Sequence, residues 1–176
     1  MDKLFLIGAA FGAGGLDKGS KDAAQAFQNS HEYNELTTMG IDVQWLKTIT
    51  EKPLDSNLEI ITDANVSLAQ TTQQLVKKNK RFCIIGGDHS CAIGTWSGAI
   101  SALPETGKLG LIWIDAHMDA HTPETSPTGN IHGNTPSHYA QPNYCNIVFL
   151  THPILLTNVS FLCRYSCYQS EYSIEI

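Results

Sequence analysis

Four short apolar runs limit how this chain can fold: LFLIGAA (Leu4 to Ala10), IDVQWLKTI (Ile41 to Ile49), RFCIIGG (Arg81 to Gly87) and LGLIWIDAH (Leu109 to His117). β-branched and aromatic residues dominate them and turn-forming residues bound them, so each is predicted as a strand. In the second run Ile41, Val43, Trp45 and Lys47 alternate, as in a strand with one face covered. The segments between read as helices. One starts near Ser20; over Leu58 to Lys80 the positions Ile61, Ala64, Leu68 and Leu75 recur near the helical period; Ala92, Trp96, Ala99, Ile100 and Leu103 mark another face. Strand and helix in regular alternation predict an α/β protein with a mostly parallel sheet flanked by helices. The fourth run is apolar on both sides, as a central parallel strand should be.

With 176 residues and 42% hydrophobic content, the chain has room for one domain of ordinary size. A net charge of -6 and no basic run longer than Lys77 to Arg81 argue against a nucleic-acid surface. Thr151, His152, Pro153, Thr157, Asn158 and Ser160 interrupt the apolar stretch from Ile147 to Cys163, which stays short of a span of ~18 apolar residues, so no membrane segment is predicted. The N-terminus lacks the basic region and long apolar core of a secretory signal, and the chain is read as cytoplasmic. Five cysteines without a CxxC pair are read as reduced thiols. The GAGG at Gly12 to Gly15 lacks the spacing of a dinucleotide-binding turn. From Ala140 onward there is no Asp or Lys, one Arg and two Glu. This shift, near residues 134 to 140, predicts a boundary: residues 1–139 as the α/β part and residues 140–176 as a divergent tail.

Parallel α/β folds gather ligands at the carboxyl ends of their strands. Both polar clusters of this chain fall there. Asp88 and His89 follow the third run, and IDAHMDAHTPETSPTGNIHG closes the fourth. In extended backbone Asp115, His117 and Asp119 would share one side, with His121 at the next alternate position. Carboxylates and imidazoles converging at a buried strand end are costly unless a cation receives them. A divalent metal is the simplest receiver. His and carboxylate ligands without thiolate fit Mn(II), Zn(II), Fe(II) or Co(II), and the carboxylate majority favours Mn(II). His89 offers a further imidazole, and Gly86 and Gly87 let that backbone bend toward the site. Asp88 is expected to orient a ligand by accepting its other N–H. A carboxylate shared by two ions would polarise a bridging water, which is a hydrolase design. His31, His138 and His152 stand alone and are read as surface or satisfied histidines.

Together GGDHS (Gly86 to Ser90), DAHMD (Asp115 to Asp119) and ETSPTGNIHG (Glu124 to Gly133) resemble the ureohydrolase family, and the last motif looks most like arginases. IGAAFGAGGLDKGSKDAAQAF is similar to the family's opening strand, loop and helix. The resemblance implies a three-layer α/β/α fold, two Mn2+ ions per active site, and hydrolysis of L-arginine to L-ornithine and urea by a metal-bound hydroxide. It also implies a homo-oligomer, usually a trimer or hexamer. Carried over by motif, His89, Asp115 and Asp119 bind one manganese, while Asp115 bridges to a second that His117 also binds. His132 matches the proton-shuttling histidine. Thr128 and Asn130 match positions that contact the amino-acid end of arginine; His121 stands where arginases commonly carry asparagine.

One absence stands out. The family's later DxD pair supplies further ligands, whereas Asp119 is the last aspartate here. The chain is therefore expected to be an arginase truncated after about residue 134, with an incomplete sheet, weak metal binding and negligible activity. Two alternatives belong to the same expectation: agmatinase or another ureohydrolase, and a non-catalytic metal-binding remnant.

Overall fold

The computed structural model describes residues 3–105, 109, 111–115, 121–122, 124–131, 133, 147–151 and 161–165. β1 (Leu4–Ala10) lies between β2 (Val43–Thr50) and β3 (Arg81–Gly86), parallel to both. A 3-10 turn (Lys18–Asp22), α1 (Ala23–Gln28) and α2 (His31–Thr38) join β1 to β2, and α3 (Asn57–Lys77) joins β2 to β3. These crossovers run in opposite directions across the sheet, so their common right-handedness puts α1 and α2 on one face and α3 on the other. Side-chain contacts agree. Tyr33 of α2 meets Trp45 of β2 edge-on at 5.9 Å and Phe27 of α1 at 6.0 Å. On the opposite face Ile7, Ala9, Phe11 and Ile49 form one core with Ala64, Leu68 and Leu75 of α3. The three layers expected from sequence are present in this half.

A bulge explains how β2 serves both faces. Leu6 pairs with Trp45 but Ile7 pairs with Lys47, so Leu46 is extra and the side-chain phase reverses there. Trp45 belongs to the α1–α2 face, whereas Ile49, paired with Ala9, enters the α3 core. The even alternation read through Lys47 therefore breaks after Trp45.

The predicted helix from Leu58 is α3, and Ile61, Ala64, Leu68 and Leu75 are all buried. It starts one residue earlier than expected because Ser56 and Glu59 form a capping box. α4 (Cys91–Ser101) packs on α3 by a different face from the one the apolar pattern suggested. Its buried residues are Cys91, Gly94, Gly98 and Ala99. A Cβ at Gly98 would collide with Thr72 Oγ1 and the Ala69 carbonyl, so the helices approach closely only because glycine stands there. Asn65 of α3 seals the contact: its Oδ1 accepts the Gly94 amide at 2.6 Å and its Nδ2 donates to the Ile61 carbonyl at 3.0 Å. α2 has no counterpart in the sequence reading. None of its residues is buried, so no apolar period marks it, and its start rests on Ser30 accepting from the Tyr33 amide.

β4 (Leu111–Asp115) pairs parallel with β5 (Ile147–Thr151), and β6 (Phe161–Tyr165) pairs antiparallel with β5. Among the described residues the six strands thus form two three-stranded sheets, with no β3–β4 ladder. IVFLT is a β-branched and aromatic run of the kind that pairs with an apolar strand such as LIWID.

Candidate active site

The site starts where β1 and β3 end. Their loops are tied to each other through backbone and carboxylate. The Gly87 amide donates to the Ala9 carbonyl at 3.0 Å and the Asp88 amide to the Phe11 carbonyl at 2.9 Å. Asp88 answers in the reverse direction: Oδ2 accepts the Gly14 amide and Oδ1 the Ser90 amide, both at 2.9 Å. A Cβ at Gly87 would run into the Phe11 carbonyl oxygen and come within 2.7 Å of the Ser20 carbonyl oxygen, so this crossing requires glycine. His89 emerges from the clamped turn half-buried, and its carbonyl accepts the Ala92 amide at 3.0 Å as α4 begins. Ser90 is fully buried, and its hydroxyl has no hydrogen-bond partner among the described residues.

Among the described residues the oxygens of Asp88 hold backbone amides of two loops, an anchoring task; the ligands that the sequence suggested it would orient lie largely outside the described residues. Glu51 is a functional anchor that the sequence reading missed. Its Oε1 accepts the amides of Gly12 and Ala13 at 2.9 and 2.8 Å. A lone acid one residue beyond a parallel strand was the available signal. The Gly12, Ala13 and Gly14 amides of the GAGG loop are thereby engaged by Glu51 and Asp88.

Asp115 is the last residue of β4, in register with Thr151 of β5. The side chain of Asp115, and His117, Asp119 and His132 altogether, lie outside the described residues, as do His138 and His152. Among the described residues no three His, Cys, Asp or Glu side chains stand together as a metal site. Burial, reinforced by Asp88, pushes the Cys91 thiol up to about 12, so it stays protonated near neutral pH.

The loop beyond β4 closes on itself, the His121 amide donating to the Gly133 carbonyl at 3.3 Å. His121 and Thr128 are exposed and Asn130 is half-buried. Thr128 Oγ1 accepts the Asn130 amide at 3.3 Å, and Ser126 Oγ the amide of Gly129, whose φ of +69° suits glycine. A hydrogen bond from Thr122 holds the Glu124 carboxyl below the usual carboxylate range. His31 opens α2 with an exposed side chain 3.5 Å from Glu35, a surface histidine as expected.

A histidine-bearing turn clamped at one parallel strand end, with an aspartate closing another strand, marks an α/β protein that carries polar groups at the carboxyl ends of its strands. The sequence comparison narrows that class. Residues 2–152 match the profile of the Arginase family, and the chain belongs to that family. The match continues past the composition shift at 134 to 140 and takes in β5. Arginase from Bacillus subtilis (strain 168) is 37% identical over 141 residues, covering 76% of this chain and 47% of that protein. Human arginase-1 is 34% identical over 137 residues, covering 73% and 41%. The chain thus spans under half the length of these curated relatives. Among solved structures, Bacillus subtilis arginase superposes with a TM-score of 0.70 at 34% identity, covering 79% of this chain and 46% of that one. Entamoeba histolytica arginase in complex with L-ornithine superposes with a TM-score of 0.75 at 27% identity, covering 85% and 57%. These neighbours bear out the arginase-like fold, partial at its C-terminal side. Among the described residues no helix is long and apolar enough to cross a membrane.

Proposed function

We propose that this chain carries the N-terminal part of an arginase-type ureohydrolase, whose reaction is the manganese-dependent hydrolysis of L-arginine to L-ornithine and urea. One observation carries the reading: the clamped GGDHS turn after β3 and a strand ending at Asp115 fall within a family match over residues 2–152. His89, Asp115 and Asp119 would hold one Mn(II), and Asp115 with His117 the second. Such a pair of ions, when bound, makes water acidic enough to supply a nucleophile near neutral pH. The guanidinium carbon needs that help, being resonance-stabilised. His132 supplies the proton that the departing amine requires, a task suited to imidazole near neutrality. Thr128, Asn130 and His121 contact the amino-acid end of the substrate. Asp88 holds the turn from which His89 projects and, together with Glu51, the loop after β1.

By itself the chain is weakly active or inactive in this reading, because no aspartate follows Asp119 to complete the second ion's ligands. Titration with Mn(II), combined with urea release from L-arginine and from agmatine, tests the proposal. Fewer than two ions per chain and very little urea are expected. Two ions per chain with urea released at the rate of a competent enzyme would overturn the inactivity. Faster turnover of agmatine than of arginine would overturn the substrate assignment.

A further inference from the structure

The two outer strands of the first sheet are built differently. β2 carries the devices of an edge: Gln44, Lys47, Thr48 and Thr50 punctuate it, and the bulge at Leu46 interrupts its ladder with β1. β3 carries none of them. Past Arg81 it consists of Phe82, Cys83, Ile84, Ile85 and Gly86, and its register with β1 runs unbroken from the Leu4 and Arg81 pair to the Ala9 and Gly86 pair. An uncharged apolar run of this kind suits a strand between two neighbours, covered on both faces. Among the described residues β3 has one neighbour, β1, and no ladder joins it to the second sheet.

Burial records the same shortfall. Leu6, Ile7, Gly8 and Ala9 of β1 are buried, whereas no residue of β3 is. Phe82 and Ile84 pack against the α3 core yet stay only partly covered, and Cys83, on the alternate face, is exposed. An apolar outer strand without a bulge or an interior charge is a template for a further strand. Family membership points to its source. Bacillus subtilis arginase matches 76% of this chain, but the match takes up only 47% of that protein, and its structure superposes over 79% of this chain and 46% of its own. More than half of that relative thus lies outside what this chain spans, at the side where the fold here is partial.

We propose that the outer edge of β3 is an interaction surface for a polypeptide carrying the remaining, C-terminal part of an arginase-family domain, which adds a strand there and covers Cys83. The proposal rests on family membership and not on the proposed reaction, so its test needs neither metal nor substrate. The full chain is co-expressed with the part of Bacillus subtilis arginase that lies outside the match. Light scattering reads the stoichiometry of the product, and peptide mass spectrometry reads the alkylation of Cys83 by iodoacetamide. A one-to-one complex is expected, in which Cys83 reacts far more slowly than in the chain alone. Cys83→Lys, at an exposed position that accepts the charge in the isolated chain, should weaken the complex by about tenfold or more, because docking buries the ammonium. Gln44→Lys, exposed on the opposite outer strand, should leave the complex intact. Absence of a complex, a complex in which Cys83 reacts as it does in the chain alone, equal loss in Gln44→Lys, or self-association of the chain that protects Cys83 without the fragment would overturn the proposal.

Discussion

The loop after β1 and the loop after β4 both carry glycine and both leave a strand at its carboxyl end, yet their hydrogen bonds reach over very different distances. The first is held by side chains 38, 39 and 74 residues away in sequence, from Glu51 and Asp88. The second, over its described residues, is held by hydroxyls of Thr125, Ser126 and Thr128 acting on amides two or three residues away. A loop bound across the fold can shift only if strand ends part, whereas a loop bound to itself can move as a unit. Under the proposed function, the metal-bearing side of the site is fixed by the sheet and the substrate-bearing side is shaped locally.

Four measurements would break or sharpen that contrast. Gly87→Ala drives a methyl into the Phe11 carbonyl and should cost about 3 kcal/mol, the upper end for overpacking; a shift in urea unfolding midpoint reads it directly. If the variant unfolds where the parent does, the two loops are not locked together. Asp88→Ala strands the Gly14 and Ser90 amides and should lose about 2 kcal/mol, with Asp88→Asn recovering part of it. Hydrogen exchange should speed up at Gly14 in the alanine variant while Gly129 stays unchanged.

The third concerns pH. The folded Cys91 thiol titrates at about 12 against an ordinary value of 9.0, so the folded state holds this proton more tightly than the unfolded chain does. Its contribution is fully present below pH 9 and is lost as pH rises toward 12. Between those values the parent should lose on the order of 1–2 kcal/mol more than Cys91→Ala. Parallel alkaline melting curves for the two proteins would show that the thiol is not sealed in the clamp. The smallest effect belongs to the self-held loop: Thr125→Ala or Ser126→Ala should change global stability by less than about 0.5 kcal/mol. A loss comparable to that of Asp88→Ala would erase the distinction between the loops.

Periodic apolar residues were the most legible part of the sequence. β1 and the four buried positions of α3 are where the pattern put them, because a long amphipathic helix and a fully apolar strand each leave a strong imprint. The α4 face was misread because glycine carries no hydrophobic signal, although Gly94 and Gly98 make the closest approach to α3. α2 was invisible for a related reason, being capped and polar without a buried residue. At the candidate site the motif spacing pointed to His89 and Asp115, which end up at strand ends as expected. Glu51 escaped notice because its partners are amides 38 and 39 residues away, and no local pattern records such a pairing.

The extra residue at Leu46 has a mechanical consequence. Because the phase of β2 reverses there, a single strand is rooted in both hydrophobic layers, through Trp45 below the sheet and Ile49 above it. Loosening either layer tugs on the same backbone, so the two cannot melt independently. Deleting Leu46 would re-thread the strand, turning Trp45 and Ile49 toward a common side and leaving one layer without its contribution. That one residue works as a rivet through the sheet, and it makes two thin cores yield as one.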